Sequence, residues 1–200
     1  MKYKLYSYTN ASNKLSSKDF KYVDKATNHP HLEWRESTVS DQNNTSSELD
    51  TNIRKSKNTW IFDKKIIHML APMVHGYNRH CLNVEIIGHE PVQCSEYYNG
   101  GYYDWHVDQL TTPIFLNPED KIPTVRKISL SVFLNEPDEY EGGELDVEIG
   151  GPKQDPRYAT YKLEKGSVVI FQSNVWHRVR PVTSGKRRSI VVWFYGAPYI

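Results

Sequence analysis

Residues 97–108 read Tyr-Tyr-Asn-Gly-Gly-Tyr-Tyr-Asp-Trp-His-Val-Asp and end in His106-x-Asp108. On a strand, side chains two residues apart leave from the same face. One imidazole and one carboxylate therefore project together, a nitrogen–oxygen pair suited to a divalent first-row metal. A lone His-x-Asp is weak evidence in a chain with eight histidines. It gains weight from His177, the best third donor, within Phe171-Gln-Ser-Asn-Val-Trp-His-Arg-Val-Arg-Pro181, and from Arg187, ten residues further on. Two imidazoles and one carboxylate, with the remaining metal positions open, form the donor set of non-haem Fe(II) oxygenases.

These residues also carry a resemblance. In order, the chain has Tyr97, Gly100-Gly101, Tyr103, His106-x-Asp108, Leu134-Asn135, Gly142-Gly-Glu-Leu145, His177, Pro181-Val-Thr183 and Gly185-x-Arg187. The series resembles the 2-oxoglutarate/Fe(II)-dependent dioxygenases, and within them the prolyl 4-hydroxylase-like group with its short bacterial and phage-type members. It spans residues 91–196 and is fainter upstream, where Ile53-Arg54-Lys55-Ser56 and Trp60 are similar to an Arg-x-Ser approach segment.

The resemblance implies Fe(II) held by His106, Asp108 and His177, with 2-oxoglutarate and O2 as cosubstrates and ascorbate as reductant. It implies hydroxylation of an unactivated C–H, with a prolyl residue of a peptide or protein as the leading substrate and release of succinate and CO2. It further implies that Arg187 binds the distal carboxylate of 2-oxoglutarate, a task suited to a planar, permanently charged guanidinium. Tyr97 matches a tyrosine that hydrogen-bonds the cosubstrate, and Arg188 would face the opposite way along a strand. Phe133 departs from the pattern: several relatives carry a tyrosine there, and phenylalanine has no hydroxyl to donate. Ser129 and Ser131 are neighbouring hydroxyls that could substitute.

The elements that must position these residues are mostly strands. Ile128, Leu130, Val132 and Leu134 alternate within residues 126–135, and further strands are expected over 144–149, 158–163, 167–172, 176–182 and 188–195. Period-two alternation also runs through Leu82, Val84 and Ile86, then Val92 and Cys94. Many short strands with regular turns indicate a sandwich or barrel. The expected class is mainly β, a double-stranded β-helix (jelly-roll, cupin-like) with supporting N-terminal helices. That architecture brings the His-x-Asp strand and the His177 strand to one open end.

Residues 63–79 read as an amphipathic helix through Ile66, Ile67, Leu70, Met73, Val74 and Tyr77, with Asp63 as N-cap and Pro72 expected to kink or split it. His68, His75 and His80 read as surface or packing residues. A short helix is expected to start at residues 16–20, and Tyr3 and Leu5 suggest an opening strand. Residues 36–58 are polar and read as a surface loop or a lid over the substrate. Residues 109–125, with Ile114-Phe115-Leu116, read as a substrate mouth or a cover over a sheet edge. Trp105, Trp176 and Trp193 read either as aromatic walls of the site or as core. The organisation expected is one domain over 1–200, with a supporting region over 1–80 and a catalytic core over 81–200.

Composition narrows the partners. With 25 basic and 24 acidic residues the net charge is +1, which provides no push toward nucleic acid or anionic membrane. The first residues show no apolar leader, no run reaches membrane-span length, and Cys81 and Cys94 are expected to stay reduced. A soluble, cytoplasmic enzyme is the resulting expectation, acting on a peptide, a protein or a small molecule. Other readings on the same scaffold are hydroxylation of another side chain or a small molecule, a metal-dependent cupin-type enzyme without 2-oxoglutarate, and a non-catalytic jelly-roll binding module. A demethylase of alkylated bases would need a second arginine beyond Arg187 and a basic groove.

Overall fold

The computed structural model describes residues 10–40, 47–109, 112–115, 122–151, 153 and 155–199. In chain order the elements are β1 (Asn10–Lys14), α1 (Ser17–Thr27), β2 (Arg35–Glu36), β3 (Val39–Ser40), β4 (Ser47–Glu48), β5 (Arg54–Lys55), β6 (Lys57–Ile61) and α2 (Lys64–Tyr77). A π-helical turn (Asn78–Leu82) follows, then β7 (Gly88–His89), β8 (Val92–Tyr97), β9 (Tyr102–His106), β10 (Val125–Phe133), β11 (Tyr140–Gly142) and β12 (Leu145–Glu148). The chain closes with β13 (Tyr158–Tyr161), β14 (Ser167–Gln172), β15 (His177–Val179), β16 (Val182–Gly185) and β17 (Arg187–Gly196).

Two antiparallel sheets face each other. The major sheet runs β1-β14-β10-β17-β8-β6-β2, with β7 also paired to β17, and the minor sheet runs β13-β12-β15-β9-β5. Smaller pairs are β11-β16 and β3-β4. This is the expected mainly β, jelly-roll arrangement.

The period-two pattern divides the major sheet into two faces with different tasks. Ile128, Leu130, Val132, Val92, Cys94, Ile170, Ile190 and Val192 pack beneath the helices, against Val23, Ile66, Leu70 and Val74. Burying each large aliphatic side chain contributes about 1.5–3 kcal/mol, so this face supplies much of the stability. The alternate residues, among them Gln93, Ser95, Tyr97, Ser129, Ser131, Phe133, Arg187, Ser189 and Trp193, turn toward the minor sheet. That inner face is therefore unusually polar for a buried surface. Arg188, one residue from Arg187, points to the helices: its Nη2 donates to the carbonyl of Thr27 at 2.9 Å and its Nε lies 3.0 Å from Glu96. Adjacent arginines on one strand thus serve opposite faces.

Several expectations need correction. Helix α2 begins after Asp63, whose side chain accepts from Lys65 N, but it runs through Pro72 unbroken. Residues 82–86 form no strand, because Asn78 answers both backbone groups of Val84, donating at 2.8 Å and accepting at 3.0 Å, and Asn83 turns the chain at φ 52°. Part of the polar stretch 36–58 is strand: β5 joins the minor sheet and β6 the major sheet. Arg54, Ser56 and Thr59 are buried there, so the stretch lacks the apolar alternation that marks a strand. The suggested opening strand at Tyr3 and Leu5 lies outside the described residues. The cysteines are unpaired, and no helix among the described residues is long and apolar enough to cross a membrane.

Asp146 fastens the outer face of the minor sheet. It is fully buried and accepts from Arg178 Nε at 2.7 Å, Arg180 Nε at 2.8 Å and Thr160 Oγ1 at 2.7 Å. Burial alone pushes its carboxyl up, but hydrogen bonds from Arg180, Thr160 and Arg178 outweigh that and hold it below the ordinary range. A folded pKa below the unfolded value of about 3.9 means the contribution is complete above that value and lost as pH falls through the folded one. Asp146→Asn should therefore lower stability by about 2 kcal/mol at neutral pH, with the gap to wild type closing below about pH 4. Urea unfolding at neutral and acidic pH measures both.

Candidate active site

The antiparallel pairing of β9 and β15 sets His106 directly opposite His177. Their rings lie 4.1 Å apart between centroids. Asp108, two residues beyond His106, closes the group: His177 Nε2 is 3.3 Å from Asp108 Oδ2 and His106 Nε2 is 3.8 Å from Oδ1. One donor atom from each residue lies within 4.8 Å of the others, and this is the one such group among the described residues.

Local hydrogen bonds set both imidazoles. His106 Nδ1 lies 2.7 Å from the carbonyl of Asp104, and His177 Nδ1 lies 2.9 Å from the carbonyl of Val175. A carbonyl can only accept, so in each neutral ring Nδ1 carries the proton and Nε2 keeps its lone pair, aimed at Asp108. Burial, then the neighbouring His177, pushes the His106 pKa well below its ordinary value, which favours the neutral, ligating form. Burial by itself pushes the Asp108 carboxyl up; His177 and His106 pull it down only when protonated, whereas the Arg126 charge pulls it down in either state. Ser129 Oγ donates to Asp108 Oδ2 at 2.7 Å and sits 2.9 Å from Ser173 Oγ. Two neutral imidazole nitrogens and one ionised carboxylate fit a divalent first-row cation.

Arg187 sits at the inner end of β17, 1% exposed. Its register partner is Tyr97, whose ring lies 5.3 Å from the guanidinium carbon, with the Phe133 ring at 5.5 Å on another side. Nη1 donates to Ser189 Oγ at 2.9 Å, while Nε has no partner. Arg187 is thus no solvated turn cation, unlike Lys186, which is partly exposed and reaches Glu96. A buried guanidinium with an unused N–H suits an incoming carboxylate. Ser129 is already engaged with Asp108, so it is not free to stand in for a tyrosine at Phe133.

Arg54 and Tyr103 were less visible in the sequence. The Tyr103 ring stacks on His106 at 3.4 Å, and Arg54 lies over the Tyr103 ring at 4.5 Å. Arg54 donates to Ser56 Oγ at 2.9 Å, Asn58 Oδ1 at 2.9 Å and Gln93 Oε1 at 3.1 Å. The signal was the Arg-x-Ser spacing; its meaning depends on β5 pairing with β9. On the other side of the site, Arg126 donates from Nη2 to Glu90 Oε2 at 2.7 Å and lies 3.8 Å over the Trp193 ring. Of the three tryptophans near the motif, Trp193 alone is buried on the inner face. Trp105 and Trp176 instead line an outer cleft of about 450 Å³ with Arg157, Tyr158 and Arg178.

The sequence profile of the 2OG-Fe(II) oxygenase superfamily matches residues 92–195, a span that contains the three donors and Arg187. The chain belongs to that superfamily. Relatives of this oxygenase chain include PKHD-type hydroxylases of Teredinibacter turnerae and Delftia acidovorans, each 38% identical over 103 residues. The match covers 52% of this chain and 42% of each relative, so it spans less than half of those proteins. Among solved structures, a Pseudomonas putida prolyl-4-hydroxylase aligns with a TM-score of 0.62 at 20% identity, covering 94% of this chain and 91% of that one. The 2OG complex of the viral collagen prolyl hydroxylase of Paramecium Bursaria Chlorella virus-1 aligns with a TM-score of 0.63 at 20% identity, covering 97% and 98%. At that identity the likeness is one of fold, and it agrees with the double-stranded β-helix expected from the sequence.

Arg54→Met keeps much of the side-chain bulk but removes the donor to Ser56, Asn58 and Gln93, leaving the single hydroxyl of Ser95 to serve both amide oxygens. The variant should lose about 1–3 kcal/mol of stability, read as a lowered denaturation midpoint with an unchanged slope.

Proposed function

We propose that this chain is a 2-oxoglutarate- and Fe(II)-dependent hydroxylase that oxidises an unactivated C–H, with a prolyl residue in a peptide or protein as the leading substrate. The observation that carries this reading is the convergence of His106 Nε2, His177 Nε2 and the Asp108 carboxylate, with both Nδ1 atoms bound to backbone carbonyls. His106, Asp108 and His177 would hold Fe(II), and Arg187 would anchor the distal carboxylate of 2-oxoglutarate beside Tyr97. When bound, iron and 2-oxoglutarate supply O2 activation, with release of succinate and CO2 and oxidation of the substrate C–H.

The protein's part is positioning and exclusion of water. Asp108 supplies a negative charge that offsets part of the cation's charge, and Ser129 holds that carboxylate in one orientation. Tyr103 packs flat against His106 and restrains its ring. The indole of Trp193, buried beneath Arg126 with an unpartnered Nε1, offers an apolar face and one donor to a substrate group. Similar folds, including a Trichoplax adhaerens prolyl hydroxylase in complex with a hypoxia inducible factor peptide fragment, support a peptidyl prolyl substrate. Residues 81–200 form the catalytic core of the single domain, and ascorbate serves as reductant.

Anaerobically purified wild-type protein given Fe(II), 2-oxoglutarate, ascorbate and O2 should release succinate, and a proline-containing peptide panel should raise that rate. His177→Ala and Asp108→Ala should lower succinate formation at least about a hundredfold, as expected for metal-ligand and supporting losses. Arg187→Ala should raise the KM for 2-oxoglutarate far more than it lowers kcat. Wild-type protein that neither turns over nor binds Fe(II) and 2-oxoglutarate would refute the oxygenase reading in favour of a binding module.

A further inference from the structure

Two buried polar atoms without partners, Arg187 Nε and Tyr140 Oη, belong to side chains that both reach the space over Gly143. We propose that Tyr140 donates a hydrogen bond to the distal carboxylate of the dicarboxylate cosubstrate, together with Arg187, and so replaces the hydroxyl that Phe133 lacks. The inference rests on the 2-oxoglutarate reading above and assigns a binding residue within it.

Tyr140 opens β11 and is 3% exposed. A buried phenol hydroxyl with no partner loses its hydration without compensation. Arg187 is in the same position: a guanidinium 1% exposed, with its Nη1 on Ser189 Oγ, an unused Nε and no carboxylate within ion-pair distance among the described residues. Two unsatisfied donors on neighbouring side chains, one of them on a fixed positive charge, are complementary to an anion with two acceptor oxygens. Burial, the largest influence, keeps the Tyr140 phenol protonated and therefore able to donate, while the nearby Arg187 charge acts in the opposite direction.

The backbone explains why these two side chains meet. Gly142 and Gly143 adopt φ of +67° and +65°, the left-handed region that glycine enters without strain. A Cβ on Gly143 would lie 3.0 Å from Arg187 Cδ and 3.2 Å from Tyr140 Cε2. A Cβ on Gly142 would run into the carbonyl oxygen of Pro181. The glycine pair therefore lets the end of β11 pack closely on Pro181 and β16, which brings Tyr140 near Arg187 at the start of β17. Lys162 braces the arrangement, donating from Nζ to the Tyr140 carbonyl at 2.9 Å. Phe133, with its ring 5.5 Å from the guanidinium carbon, provides an apolar wall and no donor. Ser131, also on the inner face, is the competing hydroxyl.

The test is calorimetric titration of Mn(II)-loaded protein without O2, so that no turnover contributes. Wild type, Tyr140→Phe and Ser131→Ala are each titrated with 2-oxoglutarate and with 2-oxobutyrate, which has the same metal-chelating end but no distal carboxylate. Tyr140→Phe should weaken 2-oxoglutarate about tenfold, the worth of one hydrogen bond to a charged group, and leave 2-oxobutyrate unchanged. Ser131→Ala should change neither. Unchanged 2-oxoglutarate affinity in Tyr140→Phe overturns the assignment, and so does an equal loss for both ligands, which would mark a packing role. A loss in Ser131→Ala without one in Tyr140→Phe assigns the hydroxyl to Ser131 instead. Wild-type protein that binds no 2-oxoglutarate overturns the cosubstrate reading and this inference together.

Discussion

A buried carboxylate facing two imidazole lone pairs is the constraint around which the barrel is arranged. Asp108 is 8% exposed and ionised, so it needs positive charge or donated protons from its surroundings. Ser129 supplies one hydrogen bond and Arg126 adds a favourable field. The histidines cannot do the same while neutral, because their only protons are committed to the carbonyls of Asp104 and Val175. What remains is two imidazole lone pairs and a carboxylate pointing at one another, an arrangement that a cation relieves.

The polar interior is tolerable because stability comes from elsewhere. Helices α1 and α2 cover the outer face of the major sheet with a continuous aliphatic core. The same strands then present serines, glutamine and arginine to the inside without depending on them for cohesion. Arg187 and Arg188 show how finely the strand period divides these tasks. Arg188 ties the sheet to the carbonyl of Thr27 in α1 and to Glu96, whereas Arg187 keeps an unused N–H on the inner face. A slip of one residue in the register of β17 would exchange them.

Two side-chain stacks extend outward from this centre. Arg54, Tyr103 and His106 form one, linking the edge strand β5 to the proposed ligand through ring contacts of 4.5 Å and 3.4 Å. Arg126 on Trp193 forms the other, tied to β7–β8 through Glu90. Each uses an arginine placed over an aromatic face, and together they limit the freedom of the side chains around His106 and Asp108. The inner end of the barrel has no such closure: there Arg187, Tyr97 and Tyr140 surround unused donors.

By itself the sequence singled out His106, Asp108 and His177, which the fold brings together, the division of β10 into inner and outer residues, and the helical face of α2. These are local properties, set by periods of two and 3.6 residues and by motif spacing. The sequence misled at residues 82–86, where one asparagine side chain took over the backbone hydrogen bonds of Val84. It showed no strand signal at 54–61, where strands bury polar side chains and show no hydrophobic alternation. Only the tertiary structure decided that Arg54 lies over Tyr103, that Trp105 and Trp176 face an outer cleft, and that Tyr140 meets Arg187. Those contacts join segments far apart in the chain. They depend on strand pairings and on the close approach allowed by Gly142 and Gly143, and neither is encoded in the spacing of neighbouring residues.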